Sequence, residues 1–366
     1  MNKAKSVSKT RQIEMWFSVL RTAMAILISL VIAFILIATV SDNAVKDFTT
    51  LLIGPLKNAS RLTTIVSKFI PLLFTGTAIC LVNSAGQTNI GAEGAFFAGA
   101  VASTAVAIIP GIPSVIHIPL CILAGAAAGA VIMGIPGILH VHYDVVTIVA
   151  SLMINYVALY LGLYIILNPL RDPAAGFEAS YRFSETTVLP VLFGNSRIHI
   201  GLVFGVLAVI FGYLLLYHTS FGISARTIGE NQKFAVYSGM PVGKTIISIS
   251  LIAGCISGMG GTLETLGNYQ RFMYGGLTNH GWDGVMLAVL CHNKPQYMPL
   301  AALFLAYIRT SADALNFSSS IPPEIISVIQ AVIIILVAAE RFLAQWEHSV
   351  IVKNTKREME TQGGAN

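Results

Sequence analysis

The chain has 366 residues, 55% of them hydrophobic and 11% charged, with a formal net charge of +5. A soluble domain carries about 25% charged residues, so the polar surface available here excludes a water-soluble fold of this length. The basic excess does not point to nucleic acid. Lys3, Lys5, Lys9, Arg11 and Arg21 cluster ahead of the first apolar run, the bias that marks the cytoplasmic side of a membrane protein.

Apolar runs of about 20 residues, enough to cross a bilayer core, predict an all-α integral membrane protein of about ten transmembrane helices. They fall at 22–40, 62–83, 89–109, 116–139, 145–168, 198–218, 245–267, 279–293, 297–315 and 324–342. The runs are continuous, without the alternation of a barrel strand. The first is too long for a signal peptide, and no A-x-A site follows it. The domain layout is a cytoplasmic segment at 1–21, a transmembrane domain at 22–342 and a cytoplasmic tail at 343–366. Ten crossings return the tail, with Lys353, Lys356 and Arg357, to the side of the N-terminus. Ser41–Arg61 is an outer loop with room for a short helix, and Pro169–Arg197 is a longer, polar outer loop. Thr219–Lys244 is the longest inner loop. Within it, Glu230–Ser238 reads as a short helix closed by Gly239, with Lys233, Phe234 and Tyr237 offering a docking surface; a plain connecting loop is the other reading.

A phrase recurs. Asn89-Ile90-Gly91-Ala92-Glu93-Gly94 and Asn279-His280-Gly281-Trp282-Asp283-Gly284 both read N-x-G-x-[acid]-G, with Ala98 and Ala288 four residues on. A second echo pairs Pro119-Leu120 with Pro299-Leu300 and Asp144–Val149 with Glu324–Ile329. The copies lie five crossings apart, an odd number, so they are inverted. Inverted repeats place a substrate path at their interface.

Glu93 and Asp283 stand beside glycines in apolar segments, where charge is costly. Each either caps a broken half-helix or meets the solute. Asn89 and Asn279 serve the same break or hydrogen-bond a neutral polar solute; Asn155, Tyr156 and Trp282 are further path candidates. Other charges read as structural: Glu264 with Arg271 at the membrane edge, and Arg309 with Asp313 at i, i+4. Gly125 with Gly129 and Gly254 with Gly258 have small-xxx-small spacing for helix packing. Cys80, Cys121, Cys255 and Cys291 lack metal-ligand spacing and read as free core thiols. Gly239–Thr245 is one residue short of a phosphate loop, and His140 with His142 completes no metal site. No catalytic set, metal site or cofactor site stands out.

Asn89–Gly94, Arg226-Thr227-Ile228-Gly229-Glu230-Asn231, Gly239–Lys244, Gly258–Gly261 and Trp282-Asp283-Gly284, in this order, resemble bacterial ATP-binding cassette (ABC) importer permeases of the branched-chain amino acid/simple-sugar family. Asn168–Pro173 and Pro323–Ile326 bring the likeness nearest to the nucleoside permeases that work with basic membrane lipoproteins. The resemblance implies a type II importer architecture in the cytoplasmic membrane, with a second permease subunit around one path. It implies a cytoplasmic ATP-binding subunit docked on Arg226, Gly229, Glu230, Asn231, Phe234, Tyr237 and Gly239, with ATP bound and hydrolysed in that subunit. It also implies an external binding lipoprotein and a nucleoside as solute. A simple-sugar permease and an ion-coupled secondary transporter are the alternatives.

Overall fold

A computed structural model describes residues 24, 27–41, 43–192, 194, 197–319 and 321–338. The expected cytoplasmic ends, 1–21 and 343–366, lie outside them. The described chain is helical; among these residues the extended pairings are two isolated antiparallel bridges, Arg171–Ser180 and Val191–His199.

Two compact units are present. One takes the described parts of Met1–Pro55 and Ser311–Asn366. It holds α1 (Leu27–Val40), α2 (Ala44–Ile53), the last residues of α12 (Met298–Ser318) and α13 (Pro323–Ala338). α2 is the short helix for which the first loop left room.

The other unit, Leu56–Thr310, holds α3 (Ala59–Ser84), α4 (Ala92–Ala107), α5 (Ser114–Tyr143), α6 (Thr147–Leu167), α7 (Gly201–His218), α8 (Ser220–Glu230), α9 (Gln232–Tyr237), α10 (Val242–Asn268), α11 (His280–Leu290) and the start of α12. Five of these, α3, α5, α6, α7 and α10, are long and apolar enough to cross a membrane. α4 and α11 differ. They have 16 and 11 residues, or about 24 and 17 Å at 1.5 Å per residue, short of a hydrocarbon core of about 30 Å. A non-helical stretch precedes each, at residues 85–91 and 269–279. The repeated phrase lies at these two breaks.

α10 is the central helix of this unit and packs on α5, α4 and α3. Its seam with α5 is made by the spaced glycines. A Cβ built on Gly254 would overlap the Gly129 carbonyl and lie 2.8 Å from the Ala130 Cα. One on Gly129 would lie 2.7 Å from the Gly258 Cα. The backbones therefore touch, and only glycine allows it. Ser257 and Thr262 of α10 reach across to the Ala92 and Gly99 carbonyls of α4, at 2.7 and 3.4 Å. These bonds satisfy polar side chains that hydrocarbon would leave bare.

The loop at 219–244 is helical along most of its length. The Thr219 hydroxyl accepts from Gly222 N–H at 3.0 Å and starts α8; the Asn231 side chain accepts from Phe234 N–H at 3.0 Å and starts α9. Gly239, at φ +74°, ends the pair, with Met240 N–H returning to the Ala235 carbonyl at 3.0 Å. The sequence reading thus placed the short helix at 230–238 and missed α8. All four cysteines are free; the buried Cys80 and Cys291 sulfurs lie 3.5 Å apart.

Gly254→Leu should collapse the seam, because backbone cannot yield as a side chain can. The expected loss is at least the ~1–3 kcal/mol of an overpacked core, read as a lower Tm and a smaller monodisperse fraction in detergent. Gly275→Ala, where a Cβ meets nothing within 4 Å, should behave as the parent.

Candidate functional site

The two copies of the repeated phrase meet. Glu93, in the first turn of α4, does not cap its own helix. Its Oε1 accepts from Asn279 N–H at 2.6 Å and from the Thr278 hydroxyl at 3.2 Å, and its Oε2 accepts from Gly281 N–H at 2.5 Å. The first turn of a helix has N–H groups with no intrahelical acceptor, and those of α11 face a fully buried carboxylate from 186 residues away. Hydrogen bonds to a charged group are worth about 1.5–3 kcal/mol each. Three together offset a desolvation cost of several kcal/mol. Asn279 takes the left-handed conformation, φ +63°, and its side chain makes no cap bond. Gly281 must be glycine, since a Cβ there would run into the Glu93 backbone.

The start of α4 is held from α6. The Asn155 oxygen accepts from Gly94 N–H at 2.9 Å and its amide nitrogen donates to the Ile90 carbonyl at 3.1 Å. The Ser151 hydroxyl accepts from Ile90 N–H at 3.1 Å. Asn89 accepts from Gly91 N–H at 2.9 Å and donates to the Met133 carbonyl at 3.1 Å. Asn89, Glu93 and Asn155 are all buried, with their polar atoms engaged. They build the break.

Asp283 does different work from Glu93. It is buried, and its Oδ1 accepts from the Arg309 guanidinium. The sequence reading paired Arg309 with its helical neighbour Asp313; the guanidinium reaches Asp283 on α11, a partner that reading did not name. The His280 Nδ1 lies 4.0 Å from the other Asp283 oxygen, and the imidazole packs against Phe96 at 5.1 Å between ring centroids. Trp282 and Tyr156 are exposed.

The stretch before α11 is also anchored at its other end. Phe183 N–H donates to the Gln270 carbonyl at 2.9 Å and Ser180 N–H to the Phe272 carbonyl at 3.2 Å. Phe272 meets Phe97 edge to face at 5.6 Å. Arg271 pairs with Asp172 at 3.2 Å, not with Glu264, so the expected Glu264–Arg271 pair is replaced by a bond to the long loop at 169–197.

A cavity of about 310 Å³ lies between the end of α3, residues 86–90 and α11. Asn89 is the one sequence-named path residue on its wall. Asn83, Gln87 and Asn293, also on the wall, were not named as path residues from the sequence, because each is a single amide outside the repeated phrase.

On the α8–α9 pair, Phe234, Val236 and Tyr237 are exposed while Ala235 is buried. Ile228 and Ala235 pack on Ile246. Arg226 turns inward, donating to the Leu216 carbonyl at 3.1 Å and lying 4.7 Å over the Tyr217 ring. Gly229 rests on the Ser84–Gly86 backbone, where a Cβ would come 2.9 Å from the Gly86 nitrogen. Glu230 and Asn231 are exposed. Among the described residues, no three His, Cys, Asp or Glu side chains form a metal-holding group.

Broken half-helices joined by polar side chains inside an apolar bundle are tolerated in a membrane where protein buries them, and with the long apolar helices they define a multi-pass membrane protein. Residues 61–338 match the family described as "Branched-chain amino acid transport system / permease component", and the chain belongs to it. It is 28% identical to the glucose ABC transporter permease protein TsgB13 of Haloferax volcanii, over 94% of each chain. It is 29% identical to the guanosine ABC transporter permease protein NupP of Bacillus subtilis, over 75% of this chain and 80% of that one. To the nucleoside ABC transporter permease protein NupB of Lactococcus lactis it is 27% identical, over 87% and 92%. No solved structure matches.

Removing one partner of a buried ion pair costs about 3–5 kcal/mol. Arg309→Met should therefore lower stability by that order, and Arg309→Met with Asp283→Leu should recover much of it, read by thermal unfolding of the four-protein double-mutant cycle. Glu93→Gln keeps one acceptor but turns an NH2 group toward backbone N–H groups. Its expected cost is about 1–3 kcal/mol.

Proposed function

We propose that this chain is the transmembrane subunit of an ABC importer that moves a nucleoside into the cell by alternating access, and that it hydrolyses nothing itself. The observation that carries the reading is the α8–α9 pair. One side of it presents Phe234, Val236 and Tyr237 to solvent, and the other rests through Gly229 on Gly86. A partner that hydrolyses ATP would seat on the exposed aromatics. Its motion would pass through a backbone-to-backbone contact, which has no side chain to absorb it, into the stretch before α4.

The rest of the arrangement follows from this role. Ten crossings with two inverted copies form the path, supported by the meeting of the first turns of α4 and α11. A second permease subunit completes the path, and an external binding lipoprotein delivers the solute to the outer loops. Both termini are cytoplasmic. Glu93, Asp283, Asn155 and Asn279 hold the path element in shape, while Asn89 and Trp282 stand nearer the solute. The nucleoside assignment draws on the names of NupP and NupB. The sugar reading draws on TsgB13.

Reconstituted with its ATP-binding subunit and lipoprotein, the permease should take up labelled guanosine only with ATP. Uptake driven by a proton or sodium gradient alone contradicts the reading, and uptake of glucose in place of guanosine moves it to the sugar alternative. Phe234→Ser with Tyr237→Ala should reduce both co-purification of the ATP-binding subunit and uptake by about tenfold or more, as for the loss of two aromatic anchors, with the folded permease retained.

A further inference from the structure

We propose that the cavity between α3 and α11 is the solute site of the transport path, and that it takes a nucleoside by the hydrogen-bonding edge of its base. The proposal rests on the transport reading above and deepens it. The cavity is about 310 Å³, at the lower end of small-molecule sites, so it suits a compact solute. Ile79 with Asn83 on α3, and Val285 with Val289 on α11, stand one helical turn apart on facing walls. The aliphatic members give two apolar faces. Among the polar lining residues are Asn83, Gln87 and Asn293, of which Asn83 and Asn293 bond each other.

These amides have unspent capacity. The Asn83 amide nitrogen donates to the Asn293 oxygen at 3.0 Å. This leaves the Asn83 oxygen as an acceptor and the Asn293 NH2 as a donor. The Gln87 oxygen accepts from the Thr147 hydroxyl at 2.9 Å, leaving its NH2 as a second donor. Adjacent amide donors and acceptors are the groups that read a base edge. No lining residue is charged and none is aromatic, which matches a neutral solute. A base has two apolar faces and one polar edge, and the cavity offers aliphatic walls and amides to match; a hexose carries hydroxyls around its whole rim and would leave several against Ile79, Val285 and Val289.

The position of Asn293 is built at a cost. His292 and Asn293 are consecutive left-handed residues, φ +53° and +56°, and neither is glycine. Such backbone persists where surrounding structure demands it and gathers at functional sites. Here Asn293 N–H bonds the Ala288 carbonyl at 2.8 Å, and the turn delivers the Asn293 side chain to Asn83. Gly86, on the same cavity wall, is the residue on which Gly229 of α8 rests, so the solute site and the proposed motor contact share a backbone segment.

The test uses the full transporter in proteoliposomes with guanosine and glucose as probes. Thr88 lines the cavity and is exposed, so Thr88→Cys should fold normally and react with a membrane-impermeant maleimide above the parent's background. Guanosine should slow that labelling and glucose should not. Asn83→Leu should raise the guanosine KM about tenfold, as for one mispaired amide, with kcat kept. Val289→Trp should fill the cavity and abolish uptake while the ATP-binding subunit still co-purifies. ATP-driven guanosine uptake with no protection of Thr88→Cys, or with Val289→Trp transporting normally, overturns the site and leaves the transport reading standing. Import and protection by glucose in place of guanosine overturns the base-edge recognition and, with it, the nucleoside assignment.

Discussion

A single carboxylate holds two half-helices together. Glu93 leaves the first turn of α4 and satisfies the free N–H groups at the start of α11. Without it, α11 would expose unpaired donors inside an apolar bundle, where each costs several kcal/mol. Neither half-helix crosses a bilayer core by its own length, and the two meet at their first turns. The rest of the unit serves this junction. Asn155 and Ser151 tie down the start of α4, Arg309 neutralises Asp283, and the loop at 169–197 fixes residues 270–272 through Ser180 and Phe183.

Both approaches to the junction are anchored, by different elements. Gln270 and Phe272 accept from Phe183 and Ser180 of the loop at 169–197, and Phe272 has an aromatic contact to Phe97. The stretch before α4 is tied to α5 and α6 through Asn89, Ile90 and Gln87, and meets the α8–α9 pair through Gly86 and Gly229. The two copies, similar in sequence, carry unequal duties: the first supplies the cap, and the second supplies a carboxylate that needs an arginine.

Much of this was legible from residues alone. Long apolar runs gave the positions of α3, α5, α6, α7 and α10, because span length is set by the bilayer and not by tertiary detail. The N-x-G-x-[acid]-G phrase located the breaks, since a carboxylate beside glycine in hydrocarbon is rarely idle. What stayed hidden was partner choice. Glu93 and Asn279 are 186 residues apart and Asp283 and Arg309 are 26 apart, and no local pattern joins them. Local spacing suggested Glu264–Arg271, but Arg271 takes Asp172 from a distant loop, and nothing in the spacing pointed Arg309 to Asp283. α8 escaped notice because Gly222, Ser224 and Gly229 depress helix propensity. Its buried Gly222, Ala225 and Ile228, three residues apart, and the Thr219 cap were the available signal.

The central claim is that the first copy's carboxylate sustains the second copy's half-helix. Hydrogen exchange across residues 277–284 in lipid nanodiscs, with and without Glu93→Ala, tests it most directly. The account predicts slow exchange in the parent and fast exchange in the variant, while the α5–α10 seam stays protected in both. Equal protection of 277–284 in the two proteins would contradict it.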